Sequence, residues 1–324
     1  MMNLKKMYLI SATLLLLISF VSCSSDDDPE MGNWVESSSF DGYSRANSVA
    51  FVIDDKGYVV GGYDGDDYLY DLWEYHKDGD YWVQKADFPG KPRSAAVGFS
   101  LNGKGFYGTG YDGDDELKDF WSYDPATNTW TQKADFGGTA RTDAVGFAVS
   151  GKGYIGTGYD GSELKDFWQY DDVANEWTQS LGFGGNKRKE AVVFVIQDKA
   201  YLGTGLQNGL YQKDFYEFDG GSLTWKRLKD LDDEDEDYEI LLASGIGFSL
   251  NGFGYITGPS AKLWEYNPII DTWDDRPDFE GSPRQDAVAF SFSDKAFVLM
   301  GRSGSYYFDD NWEYRPGEEN DEDD

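Results

Sequence analysis

The 324-residue sequence predicts an all-β fold assembled from six copies of one unit. Three observations carry that prediction. A tryptophan returns at Trp34, Trp82, Trp130, Trp177, Trp225 and Trp273, at intervals of 47 or 48 residues. Seven residues before each of the last five stands another aromatic (Tyr75, Tyr123, Tyr170, Phe218, Tyr266), and Tyr314 is a sixth with no Trp after it. Between these markers, short apolar runs alternate with turn residues and show no helical period. Repetition at this length marks units that bury their apolar faces only against neighbouring copies.

The elements follow in chain order. Lys5 and Lys6 precede the apolar stretch Leu9 to Val21, which is too short and wrongly flanked for a membrane span. It ends on small Ser22 before Cys23, the only cysteine. This resembles a bacterial lipoprotein signal, with residues 1–22 as the signal peptide, Cys23 lipidated and 23–32 an acidic tether. An ordinary secretory signal with an incidental Cys23 is the alternative. The resemblance implies a cell-envelope protein, an outer-membrane lipoprotein exposed at the surface, touching membrane only through its lipid anchor. Residues 33–315 hold the repeats, and 316–324 read as an acidic disordered tail.

Within the second unit, Ala96-Val97-Gly98-Phe99 reads as an inner strand, followed by Gly105–Gly108, Phe120–Tyr123 and an outer strand Thr129–Gln132. Asn102-Gly103 is a favoured hairpin turn. Arg45, Arg93, Arg141, Arg188 and Arg284 recur, with Leu242 breaking the set. Between Arg and the aromatic sits a glycine doublet or variant: Gly61-Gly62, Gly108-Thr109-Gly110, Gly156-Thr157-Gly158 and Gly203-Thr204-Gly205. A glycine pair, then an aromatic, then Trp after six residues resembles the kelch repeat, over about residues 33–315. The resemblance implies a kelch-type β-propeller with one four-stranded blade per repeat. Trp34 has no strands before it and Tyr314 no strand after it, so the simplest closure is six blades, the last completed by the N-terminal strand.

The second-to-third-strand and blade-to-blade connections emerge on one face, which is the expected binding face. A residue found in most blades reads as architectural, and one found in a single blade as functional. Arg45, Arg93, Arg141, Arg188 and Arg284 carry two readings: architectural bonds to carbonyls or carboxylates between blades, or a cationic ring at the channel mouth. Two residues later come Asn47, Ala95, Asp143, Glu190, Ser244 and Asp286, which vary. Period two places them on the same strand face as the arginines. Arg residues alternating with Asp143, Glu190 and Asp286 suit a polar ligand such as a sugar, and a self-satisfied salt network is the alternative. Asp112, Asp114 and Asp115 offer oxygen ligands of the kind Ca²⁺ takes, but without EF-hand spacing, and turn chemistry explains them as well. No other cofactor is expected. The fifth unit gains residues in one loop, bearing Asp230 to Asp237, and loses as many in another. The gained loop reads either as folded over the gap or as a solvated loop.

Composition narrows the function. With 28 Lys+Arg against 60 Asp+Glu, the net charge of −32 argues against non-specific nucleic-acid binding, which needs a basic face. The kelch resemblance brings in copper galactose oxidase, but one His and one Cys, the latter in the signal, exclude that chemistry here. It also brings in sialic acid mutarotase, whose reaction asks only for a placed acid–base group. The leading expectation is a non-catalytic propeller binding a glycan or protein on the cell surface, as a monomer or as a subunit of a surface complex. A mutarotase-like enzyme and a purely structural subunit are the alternatives. His76 reads as an ordinary surface histidine.

Overall fold

The computed structural model describes residues 30–233 and 238–321. The signal, Cys23 and most of the expected tether lie outside the described residues. Six four-stranded antiparallel sheets stand around one axis, each running from an innermost strand a to an outermost strand d. Blade 1 is Val49–Ile53, Lys56–Val60, Leu72–His76 and Tyr81–Gln84. Blade 2 is Val97–Leu101, Lys104–Gly108, Phe120–Asp124 and Thr129–Gln132, within two residues of each sequence-read strand. Blades 3, 4 and 5 repeat the pattern from Val145, Val192 and Ile246.

Blade 6 takes Val288–Ser291, Ala296–Leu299 and Asn311–Glu319 from the C-terminal end, and Met31–Glu36 as its outer strand. Trp34 lies opposite Tyr314, the same pairing that joins Tyr75 to Trp82 and Tyr123 to Trp130 in blades 1 and 2. The sixth aromatic thus finds its Trp at the other end of the chain. Two expected boundaries move. The strand begins at Met31, inside the expected tether, and the other strand continues past 315 to Glu319, which pairs with Met31. Residues 316–321 are therefore engaged with the N-terminal strand; the Asn320 amide donates to the Glu30 carbonyl at 2.9 Å. The register slips between Met31 and Asn33, opposite Pro316, which has no amide to give the ladder.

Each interface between blades has its own hydrophobic core. Between blades 1 and 2, Val49, Phe51 and Leu72 pack against Tyr107, Tyr123 and Phe88. Between blades 5 and 6, Trp34 sits fully buried against Phe279 and Tyr314, with ring centroids 4.9 and 4.8 Å away. Inner strands alternate buried and half-buried side chains, as sheets covered on both faces by unequal neighbours require. Glycine lets these strands close up near the axis. A Cβ on Gly98 would stand 2.3 Å from Val49 Cγ1, and one on Gly105 would stand 2.2 Å from the Phe51 ring.

Because every core is shared by two blades, opening one interface opens the ring. Trp34→Ala is expected to cost about 3–5 kcal/mol, and deleting residues 31–42 to lower the single melting transition of the whole domain. A differential scanning calorimetry trace unchanged by the deletion would show that the closure carries no weight.

Candidate functional site

The loop face is organised by one repeated side-chain unit. In five blades the arginine forks onto the aspartate that precedes strand c of its own blade. Arg45, Arg93 and Arg141 hold Asp71, Asp119 and Asp166 through paired contacts of 2.6–2.9 Å. Arg284 grips Asp310 in the same two-pronged way, and Arg188 reaches Asp214 with one prong. Each guanidinium also donates to the carbonyl sixteen residues on, at 2.9–3.1 Å, and lies 4.8–4.9 Å over a phenylalanine five residues before it: Phe40, Phe88, Phe136, Phe183 or Phe279. In four of these blades an indole two residues after the aspartate donates to it at 2.7–2.9 Å. Burial alone would push Asp71, Asp119 and Asp166 up; the guanidinium and indole hold them below the ordinary carboxylate range.

This corrects one reading of the arginines. Arg45, Arg93, Arg141 and Arg188 have no exposed surface and Arg284 only 1%, so none offers a charge to a ligand. Their partners lie within the blade, so the unit ties the incoming connection to the b–c loop rather than one blade to the next. The fifth blade drops the unit as a pair: Leu242 replaces the arginine, and Lys262, ion-paired to Asp278 at 3.0 Å, stands where the aspartate would be. Losing only one member would strand a buried charge.

Two residues beyond each arginine the backbone turns left-handed. Asn47, Ala95, Asp143, Glu190, Ser244 and Asp286 all have φ between 50° and 59°. They are therefore not extended strand, and period two does not apply to them. While the arginine points into its blade, these residues gather round the axis. Their amides form a closed circle. Ala95 donates to Asn47, Asp143 to Ala95, Glu190 to Asp143, Ser244 to Glu190, Asp286 to Ser244 and Asn47 to Asp286, at 2.8–3.3 Å. A second set of bonds runs outside it. Gly62, Gly110, Gly158, Gly205 and Gly301, all at positive φ, donate to the carbonyl of the next blade's Arg93, Arg141, Arg188, Leu242 or Arg45 at 2.8–2.9 Å. That is the structural use of the repeated glycine.

The inner circle rims a cavity of about 180 Å³ lined by Asn47, Asp143, Glu190, Ser244 and Asp286 together with small residues. The three expected carboxylates do come together, but each differently. Glu190 is held by Lys189 at 2.8 Å and by the Ser244 hydroxyl at 3.0 Å. Asp286 accepts from Arg302 at 2.9 Å and Gln285 at 3.3 Å. Among the described residues no side chain donates to Asp143. Burial first, then the charges of Glu190 and Asp286, push it up to about 7, against the opposing pull of Lys189. Lys189 and Arg302 were not singled out by the sequence. The available signal was that Arg302 follows Gly301 where Tyr63, Tyr111 and Tyr159 follow the other glycines.

The remaining candidates resolve as scaffold. The Asp112 carboxylate accepts the amides of Asp114 and Asp115 at 3.0 and 2.8 Å and pairs with Lys91. It closes a turn, as Asp64 does in blade 1, which is the turn chemistry the sequence also allowed at these positions. Tyr63 and Tyr111 donate to Gly65 and Gly113 carbonyls, closing their own loops. His76 stacks on Tyr81 at 4.3 Å. Around the acidic insertion, Leu231 and Ile240 are buried in the core between blades 4 and 5 and Asp232–Asp233 pairs with Tyr238–Glu239; the tip, 234–237, lies outside the described residues.

The Kelch motif family matches residues 44–89 and 110–137. The chain is a six-bladed β-propeller that carries kelch motifs over those residues. Among solved structures this propeller resembles the one described as "Structure of YjhT", with a TM-score of 0.69 and 16% identity, covering 84% of this chain and 95% of that one. At that identity the likeness is one of fold. No curated protein sequence matches.

Two outcomes test this construction. Arg93→Leu leaves Asp119 half-buried without its counter-charge and is expected to cost about 3 kcal/mol in urea unfolding. Adding Asp119→Asn should recover part of that loss, as the paired absence in blade 5 implies; a double variant less stable than the single one would contradict the unit. Asp143 is a carboxyl whose folded pKa lies above its unfolded one, so the folded state binds the extra proton between about pH 4 and 7 and stability falls as pH rises through that window. Asp143→Asn should therefore raise the melting temperature at pH 8 and leave it unchanged at pH 4.

Proposed function

We propose that this kelch propeller is a non-catalytic binding protein of the bacterial cell envelope, anchored through Cys23, whose loop face takes up a neutral glycan at the axial cavity. The observation that carries the reading is the left-handed circle. It turns five polar side chains that differ from blade to blade into one small cavity on a repeated scaffold. Carboxylates, an amide and a hydroxyl suit the hydroxyls of a sugar. With the five arginines buried, the cations paired to this cavity's carboxylates are Lys189 on Glu190 and Arg302 on Asp286. That arrangement favours a neutral ligand over an acidic sugar. The volume, worth about six water molecules, fits the terminal ring of a chain rather than its middle.

One observation favours a second reading. A carboxyl poised near neutrality beside Glu190 is suited to moving a proton on the ring-opening hydroxyl of a reducing sugar. NMR measurement of anomeric exchange separates the two: no acceleration over buffer for common reducing sugars removes the enzyme.

A glycan array carrying neutral and acidic structures tests the binding reading. Capture of a neutral glycan is expected, falling at least ten-fold in Asp143→Asn/Glu190→Gln while the melting temperature holds or rises. Capture confined to acidic glycans, or undiminished in the double variant, would overturn it.

A further inference from the structure

Blade 1 carries a second cleft on the loop face, about 530 Å³ in volume, away from the axial circle. Its walls are the connection entering the blade and the b–c loop, and Trp73 lies between them. Tyr43 stands on the first wall, 70% exposed, and Tyr70 on the second, 47% exposed. Neither ring packs against another aromatic among the described residues. Asp41, Gln84 and Asp87 complete the polar lining, with the Gln84 amide 3.3 Å from Asp87.

Comparison across the blades separates scaffold from addition. Tyr43 occupies the position two before the arginine, and Tyr70 the position just before the aspartate. Both positions are therefore fixed in space by the same Arg–Asp fork in each blade. At those two positions the other fork-bearing blades carry Lys91 and Lys118, Thr139 and Lys165, Asn186 and Lys213, and Ser282 and Asp309. Only blade 1 places aromatics at both. The fork does not need them, since it forms without them in the other blades. Two exposed rings on facing walls of one polar-rimmed cleft make the kind of apolar patch that marks a ligand groove.

We propose that this cleft is a second binding site, for the face of a neutral sugar ring, with Tyr43 and Tyr70 as its stacking surfaces and Asp41, Gln84 and Asp87 receiving or donating to hydroxyls. Aromatic rings offer area to the C–H face of a sugar. Carboxylates at the rim accept from its hydroxyls and repel acidic sugars and phosphate. A cationic ligand is the weaker match. In a cleft this open, water screens both its ion pairs and its contact with the rings. The site does not rest on the axial cavity, and either can hold without the other.

Titration calorimetry on the full chain tests it, using maltohexaose, cellohexaose and xylohexaose as neutral probes, a chitosan hexamer as the cationic one and heparin as the anionic one. At least one neutral probe is expected to bind, with affinity falling ten-fold or more in Tyr43→Ala/Tyr70→Ala. All titrations are made in the Asp143→Asn/Glu190→Gln background, which removes binding at the axial cavity, so that the heat reports this cleft alone. Both tyrosines are exposed, so an unchanged melting temperature is expected and serves as the folding control. Tyr43→Phe/Tyr70→Phe should retain most of the binding, because the ring face rather than the hydroxyl is used. Three results would each overturn the proposal: no neutral probe binding, full binding in the alanine double variant, or tighter binding of the chitosan hexamer or heparin than of every neutral probe.

Discussion

The fork between a buried arginine and an aspartate in the same blade is the contact on which the loop face depends. A guanidinium is charged at every relevant pH and offers five donors in a plane. In blades 1, 2, 3 and 6 these donors are spent on a carboxylate, one carbonyl across the blade and one carbonyl of its own connection. The phenylalanine beneath it keeps out water that would weaken the pair. With its entry point fixed this way, the chain reaches the axis two residues later at a set height and angle. Six such arrivals, at left-handed φ, bring amide to carbonyl around a circle. Side-chain electrostatics at mid-radius thus sets backbone geometry at the centre.

Blade 5 is where this logic relaxes, and its departures are consistent with one another. Without an arginine or its aspartate, the b–c loop has no fork to hold and is shortened to Gly258–Lys262. Leu242 fills the space beside Gly245 and Gly258. Among the described residues no glycine amide crosses from blade 5 to blade 6 as it does at the other five junctions. Yet Ser244 still joins the axial circle, at φ 54°. The inserted residues before Leu242 put Leu231 and Ile240 into the core between blades 4 and 5, so apolar packing supports the connection where charge does not.

The sequence made the architecture legible because the architecture is repetitive. Period, blade count, strand limits in blade 2 and the closure by Trp34 all follow from copies that must bury one another's faces. The partner of each arginine was not legible, because a spacing of 25 or 26 residues to an aspartate says nothing about which face of a strand either occupies. The left-handed turn escaped for the opposite reason. Asn, Asp and Ser at such positions are common, but Ala95 and Glu190 disguise it, and extended geometry is the default reading beside a strand. The ends of the chain were misjudged because an apolar count sees no reason for Gly317 to Glu319 to be ordered, whereas Met31 supplies a ladder from outside that segment.

The axial circle also says why its side chains are what they are. A left-handed turn is easiest for glycine, and an L-residue there gives up roughly 1 kcal/mol. The circle uses only main-chain amides and carbonyls, so the scaffold would close as well, or more easily, with glycine at all six positions. None of the six is glycine, and five of them carry polar groups. Crowding does not explain the choice, since the side chains line open volume. Stability argues against it, because burial first, and then the charges of Glu190 and Asp286, disfavour the ionised carboxylate of Asp143. The scaffold gives no reason for side chains where the backbone disfavours them and where their own charges conflict, and the glycan proposed for this cavity would supply one.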